Sequence, residues 1–164
     1  MTLHAITQYI RYRFLAKGRH GTHSPFVYAF VEDVVQSKKP AGSSFDWPIK
    51  RYTQLLDRVC DHYGYSSISD VPAALKEKGG YDVLLLREQD INSWSEQLKA
   101  ALALLNDNGV VVAPDIHKDL THTEAWERLH TLREVKLSLD LYGPGLLFFK
   151  KEFKEKQHFV LKYY

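Results

Sequence analysis

Two nearly continuous apolar runs limit what this chain can fold into: residues 81–86 (Tyr-Asp-Val-Leu-Leu-Leu) and residues 110–113 (Val-Val-Val-Ala). A strand that is apolar at successive positions, instead of alternating, is covered on both faces, as in a parallel sheet with helices above and below. Between the runs, residues 92–105 place Trp94, Leu98, Ala101, Leu102 and Leu105 on one side of a predicted helix, closed by Asn106-Asp107-Asn108-Gly109. Strand, helix, strand is the signature of an α/β fold. Upstream, residues 66–71 predict a short strand and residues 72–77 a turn or two of helix. Downstream, residues 123–132 predict a helix. Residues 134–141 and 145–150 flank Tyr142-Gly143-Pro144, which has the chemistry of a hairpin turn, and residues 158–164 alternate like an edge strand. The expected core is a mixed sheet, parallel at first and antiparallel in its C-terminal hairpin.

The N-terminal third reads differently. In residues 4–16, Ile6, Ile10 and Phe14 with Tyr9 and Tyr12 recur at helical spacing, with Arg11 and Arg13 turned outward. Ser24-Pro25 opens a second helix, serine as cap and proline where a missing N–H costs nothing. Phe26, Val27, Phe30, Val31, Val34 and Val35 give that helix a broad apolar face. Residues 37–48 are a linker by composition, and Pro48 opens a third helix with Ile49, Tyr52, Leu55, Leu56 and Val59 on one side. The chain therefore divides into a helical arm with linker, residues 1–47, and an α/β core, residues 48–164. At 164 residues it suits one compact domain with a core of its own.

Net charge is +2, unevenly spread: residues 1–51 hold eight Lys/Arg against three acids, leaving 14 basic and 17 acidic residues for the remainder. A basic arm on a mildly acidic body fits either an anionic partner or the solvated faces of two helices. Arg11, Arg13, Lys17, Arg19 and His20 are the residues that an RNA or phosphate would meet, with aromatic neighbours for stacking. Arg19, His20 and His23, in a glycine-containing loop, are the candidates for holding a substrate or anion. His20 and His23 have no cysteine or acid beside them, so a metal is not expected there. Cys60 is the lone cysteine, which excludes an internal disulfide and a cysteine-based zinc site. No stretch approaches the length of about 20 apolar residues that spans a bilayer, and no signal-like block follows Met1, so a cytoplasmic location is expected. Glu88 with Asp90 reads as a solvated pair, and His122 and His130 as surface residues on or near a helix.

Several segments resemble a bacterial family of class I S-adenosylmethionine-dependent methyltransferases. They are Lys17-Gly18-Arg19-His20-Gly21-Thr22-His23-Ser24-Pro25-Phe26-Val27, then Val112-Ala113-Pro114-Asp115-Ile116-His117, then Glu124-Ala125-Trp126. The end of the chain matches too, in Gly145-Leu146-Leu147-Phe148-Phe149-Lys150-Lys151-Glu152 and His158-Phe159-Val160. The likeness covers residues 10–36 and 81–164. It implies a Rossmann-like fold, S-adenosylmethionine as cofactor, and Asp115 and His117 as catalytic candidates just beyond the carboxyl end of a parallel strand, where open α/β sheets bind ligands.

The chain departs from that pattern in two places. The family's cofactor rests on a glycine-rich turn after its first strand, analogous to the dinucleotide fingerprint of strand, Gly-x-Gly-x-x-Gly and helix. Here the only Gly-x-Gly is Gly143-Pro144-Gly145, which joins two predicted strands. About 20 residues separate the third helix from Tyr81, too few for the two strand–helix units that make the first half of such a fold. Further on, the family usually has Ile-Asp-Gly-x-His after its fourth strand, where this chain has Leu86-Arg87-Glu88-Gln89-Asp90, and Pro114 stands in place of the first of the paired aspartates. Arginine is a cation and cannot replace a carboxylate ligand. The expectation is a truncated Rossmann-like methyltransferase fold that has lost cofactor binding and catalysis. Such a chain would act as an interaction or regulatory module, paired with a second copy or another protein through an exposed sheet edge or helix face. The alternatives are a functioning S-adenosylmethionine-dependent methyltransferase using Asp115 and His117, and an RNA- or phosphate-binding protein.

Overall fold

The alternation of side chains along the apolar strands decides the layering. In the computed structural model, which describes residues 3–16, 23–77 and 79–163, β2 (Tyr81–Leu85) and β3 (Leu105–Ala113) lie side by side and parallel, with Val83 opposite Val110 and Leu85 opposite Val112. Val83, Leu85, Val110 and Val112 enter one core, and Leu84, Leu86, Val111 and Ala113 enter another on the opposite face. The first core is closed by α2 (Pro25–Phe30) and α3 (Thr53–Tyr63) through Val27, Phe30, Leu55, Leu56 and Val59. The second is closed by α4 (Val71–Glu77), α5 (Trp94–Ala101) and α6 (Leu120–His130) through Ala74, Trp94, Leu98, Trp126 and Leu129. Apolar runs covered on both sides are thus what the sheet contains.

Among the described residues the sheet has six strands. With β1 (Ile68–Asp70), β4 (Leu137–Asp140), β5 (Gly145–Phe148) and β6 (Gln157–Val160), their order is β1-β2-β3-β5-β4-β6. β1, β2 and β3 are parallel, β5 is antiparallel to both β3 and β4, and β6 returns parallel to β4 at the edge. The fold is therefore α/β with a mixed sheet and an antiparallel β4–β5 hairpin.

Local chemistry sets the boundaries. Ser24 caps α2, its hydroxyl accepting from Val27 N, with Pro25 in the first turn. Asp119 caps α6 by accepting from His122 N at 2.9 Å. Gly64, with φ of 70°, ends α3 in the left-handed conformation that glycine adopts without strain. The chain enters α3 through a 3₁₀ turn at Lys50–Tyr52, and α2 runs on into a π-helical turn at Val31–Val35.

The linker is strapped down. On α3, Asp57 and Asp61 stand one turn apart. Asp61 accepts from Gly42 N and Ser43 N at 2.6 and 2.8 Å, and Asp57 from Trp47 Nε1 and Phe45 N at 2.7 and 3.2 Å. Trp47 is buried in the same core as α2 and β2.

Two expectations need correction. The helix predicted over residues 92–105 is a 3₁₀ segment (Glu88–Ser93) followed by α5, which ends at Ala101. Leu105 and the polar run after it belong to β3, across an irregular register between Tyr81 and Val83. Asn106 is held there by its side chain, which donates to Asp82 at 2.8 Å, so residues that read as a turn become the exposed start of a strand. In α1 (Leu3–Leu15) the inward face is not the one formed by Ile6, Ile10 and Phe14. Ala5 and Tyr12 are buried, and Ile6, Ile10 and Phe14 face water. Tyr12 wins the inward position because its hydroxyl bridges Leu161 O and Tyr163 N, which an aliphatic side chain cannot do.

Candidate functional site

The loop after β3 is bent by one residue. Ile116 is fully buried, and its N–H donates to Gly143 O at 2.9 Å, tying the loop to the β4–β5 turn. To deliver Ile116 inward, Asp115 takes a left-handed backbone with φ of 49°. Aspartate tolerates this region better than most residues. Its carboxylate is then aimed at the 3₁₀ turn before α3, where Tyr52 Oη donates to Oδ1 and the Arg51 guanidinium pairs with Oδ2. Burial pushes the Tyr52 phenol above its ordinary pKa, so the hydroxyl keeps its proton for this bond. Gly143 lies so close that a Cβ on it would stand 2.6 Å from Tyr52 Oη.

Two residues on, His117 is buried as well. Its Nε2 lies 2.7 Å from Asp140 Oδ2 at the end of β4, and Nδ1 lies 3.4 Å from Thr123 Oγ1 on α6. Asp140 Oδ1 accepts from Tyr142 N at 2.9 Å, so this carboxylate orients both the imidazole and the hairpin turn. Tyr142 covers the imidazole with ring centroids 5.6 Å apart, and its hydroxyl donates to Ala5 O of α1. His4, also on α1, reaches Thr123 Oγ1 at 3.0 Å. Asp115 and His117 are therefore near neighbours in sequence that serve separate networks, each engaged by the chain's own groups.

Two cavities flank Asp115. One, of about 590 Å³, lies over the carboxyl ends of β1, β2 and β3, walled by Asp70, Leu85–Asp90, Pro114 and Pro48–Arg51. The other, of about 840 Å³, is more apolar, lined by Tyr52, Tyr142, Tyr163, Leu141 and Ala5 with Asp115, His117 and Lys118. Arg51 lines both and stands in the wall between them. Across the first cavity Arg87 donates to Asp70 Oδ2 at 3.0 Å, so the cation at the end of β2 is spent on the acid at the end of β1.

Glu88 is not simply solvated. It pairs with Lys118 and lies 4.0 Å from Arg51 and 3.6 Å from His122 Nε2. The Lys118 bond, with the nearby positive groups, holds its carboxyl below the usual range. His122 and His130 are likewise not surface residues: His122 is buried with Nδ1 2.8 Å from Asp119, and His130 stacks on His158 at 4.1 Å. Glu127 binds His130 Nε2 at 2.9 Å. Among the described residues no group of three or more His, Cys, Asp or Glu is placed to hold a metal ion.

Of the residues expected to bind an anion, Arg19 and His20 lie outside the described residues, and His23 is exposed just before the α2 cap. Arg51, Tyr52 and Asp140 escaped the sequence reading because nothing in the spacing ties positions 51 and 52 to 115, or 140 to 117. The one signal available was an acid closing an otherwise uncharged strand, in Leu137-Ser138-Leu139-Asp140. No helix among the described residues is long and apolar enough to cross a membrane. No known protein-family model matches the chain, and no curated protein or solved structure does either.

Proposed function

We propose that this chain is a methyltransferase-like protein without S-adenosylmethionine-dependent catalysis, kept as an interaction module. The reading takes the sheet as the second half of a Rossmann-like methyltransferase sheet, its first strand–helix units excised and β1 drawn in beside β2. The observation that carries it is the state of Asp115: its carboxylate is turned onto Tyr52, which donates to Oδ1, and Arg51, which pairs with Oδ2, so groups of the same chain compete with any substrate for it. The first strand–helix junction supports the same reading. β1 ends at Asp70 and α4 starts at Val71, followed by Pro72, so no connecting residue and no glycine lies at this junction to let the backbone approach S-adenosylmethionine closely.

Calorimetric titration of the chain with S-adenosylmethionine tests this, and no heat is the expected result. Binding with Kd tighter than about 100 µM overturns it. A second reading, a working methyltransferase, draws on the 590 Å³ cavity at the strand ends, whose size falls within the range of about 300–1,000 Å³ typical of small-molecule sites. On that reading the cofactor binds, and Arg87→Glu abolishes binding.

A further inference from the structure

α1 meets the body along one narrow face. Ala5 and Tyr12 are buried, and Tyr9 packs edge-on against Tyr142 at 5.3 Å. A second apolar stripe runs down another side of the same helix: Leu3, Ile6, Ile10 and Phe14 are 81%, 40%, 52% and 86% exposed. At about 100° per residue these four fall within about 80° of arc, centred about 150° from the buried pair. So narrow a stripe has the width of a helix–helix seam, not of a face meant for a broad core.

We infer that this stripe is the contact by which the chain pairs with a second copy of itself, α1 against α1 in antiparallel orientation. Spacing and charge both point there. The stripe is close to palindromic: with the helices crossing near residue 8, Ile6 meets Ile10 and Leu3 meets Phe14 of the other copy. α1 carries Arg11 and Arg13 and no acid. A parallel pair would set each arginine against its twin. The antiparallel pair separates the two Arg13 side chains by about 14 Å along the axis and the two Arg11 side chains by about 8 Å, at or beyond the screening length of about 8–10 Å. Area allows it too. Taking about 200 Å² for each large apolar residue, the four leave on the order of 500 Å² per chain in water, or about 1,000 Å² over the pair, the lower bound for a specific interface.

The inference deepens the interaction reading above by naming the partner, and rests on it for that role. It stands or falls by a separate measurement: a monomer that binds no S-adenosylmethionine sinks the dimer alone, and a dimer that binds it sinks the loss of cofactor alone. Size exclusion with light scattering is expected to give a dimer with Kd of about 1–50 µM. Ile10→Glu, an exposed substitution, should weaken it at least tenfold with an unchanged circular dichroism spectrum. Orientation is read by cross-linking, for which the sole native thiol, Cys60, is buried. A mixture of Leu3→Cys and Phe14→Cys should form the mixed disulfide, whereas Phe14→Cys alone should not, its two copies lying about 18 Å apart. A wild-type monomer at about 200 µM, a dimer indifferent to Ile10→Glu, or rapid self-linking of Phe14→Cys overturns the inference. So does a monomer that sediments with phosphatidylserine vesicles, which would give the stripe to a membrane surface.

Discussion

Asp57→Ala tests how firmly the linker is strapped to α3, and with it how Arg51 and Tyr52 reach Asp115. In the wild type, the Asp57 carboxylate is buried and accepts from Trp47 Nε1 at 2.7 Å and Phe45 N at 3.2 Å. A hydrogen bond to a charged group contributes about 1.5–3 kcal/mol, and the longer Phe45 bond falls at or below the low end, so the two together give about 3–4 kcal/mol. The better helix propensity of alanine returns about 0.5 kcal/mol, and relief from burying the carboxylate returns a similar amount. The net expected loss is about 2–3 kcal/mol, a fall in Tm of roughly 5–10 °C for a chain of this size. Urea unfolding followed by tryptophan fluorescence measures it. Asp57→Asn keeps a neutral acceptor and should lose about half as much, since charge-assisted bonds are about twice as strong as neutral ones. Combining Asp57→Ala with Trp47→Phe should show a coupling of at least 1 kcal/mol, roughly the weight of one such bond. A loss under about 0.5 kcal/mol for Asp57→Ala, or strictly additive single effects, would refute the idea that this carboxylate holds the strap.

Three further outcomes are expected. Gly145→Ala should destabilise by about 1–3 kcal/mol through overpacking, because its Cβ would stand 2.5 Å from the ring of fully buried Trp126, and the same substitution should cost less in a Trp126→Leu background in thermal melts. Burial, with the stacked His130 ring, lowers the His158 pKa to about 4. Because the unfolded imidazole binds its proton near pH 6.5, stability should be full above that pH and decline as pH falls toward 4. The full linkage would be about 3 kcal/mol, cut to about 1 kcal/mol by the third or more of His158 that water reaches, and His158→Gln should flatten the profile of urea midpoints. Finally, burial raises the Cys60 thiol to about 12, so a disulfide reagent at pH 8 should modify it only after unfolding. Reaction at the rate of a free thiol would show that α3 opens locally.

The strands that are apolar on both faces, the Ser24 cap and the β4–β5 turn were legible because each depends on neighbours in the chain. The facing of α1 was not. Its aliphatic residues follow the helical period as well as its tyrosines do, and the choice is made by main-chain groups at residues 161 and 163 that no local pattern reveals. The polar start of β3 escaped for a like reason, since Asn106-Asp107-Asn108-Gly109 has turn chemistry and is overruled by pairing with β2. Asp115 and His117 stood out in the sequence through the resemblance, at positions just beyond a parallel strand. Their partners, at positions 51, 52 and 140, come together only through the tertiary fold.

The hydroxyl of Tyr12 has an implication for synthesis on the ribosome. Its partners lie 149 and 151 residues further along, so the contact cannot form until nearly everything between has been made. A domain emerging N-terminus first would hold α1 undocked, both apolar sides bare, for the whole of that interval. Closure then waits on β6, the last strand to be translated of those described, and the nascent helix is open until that moment to whichever chaperone or neighbouring chain reaches it.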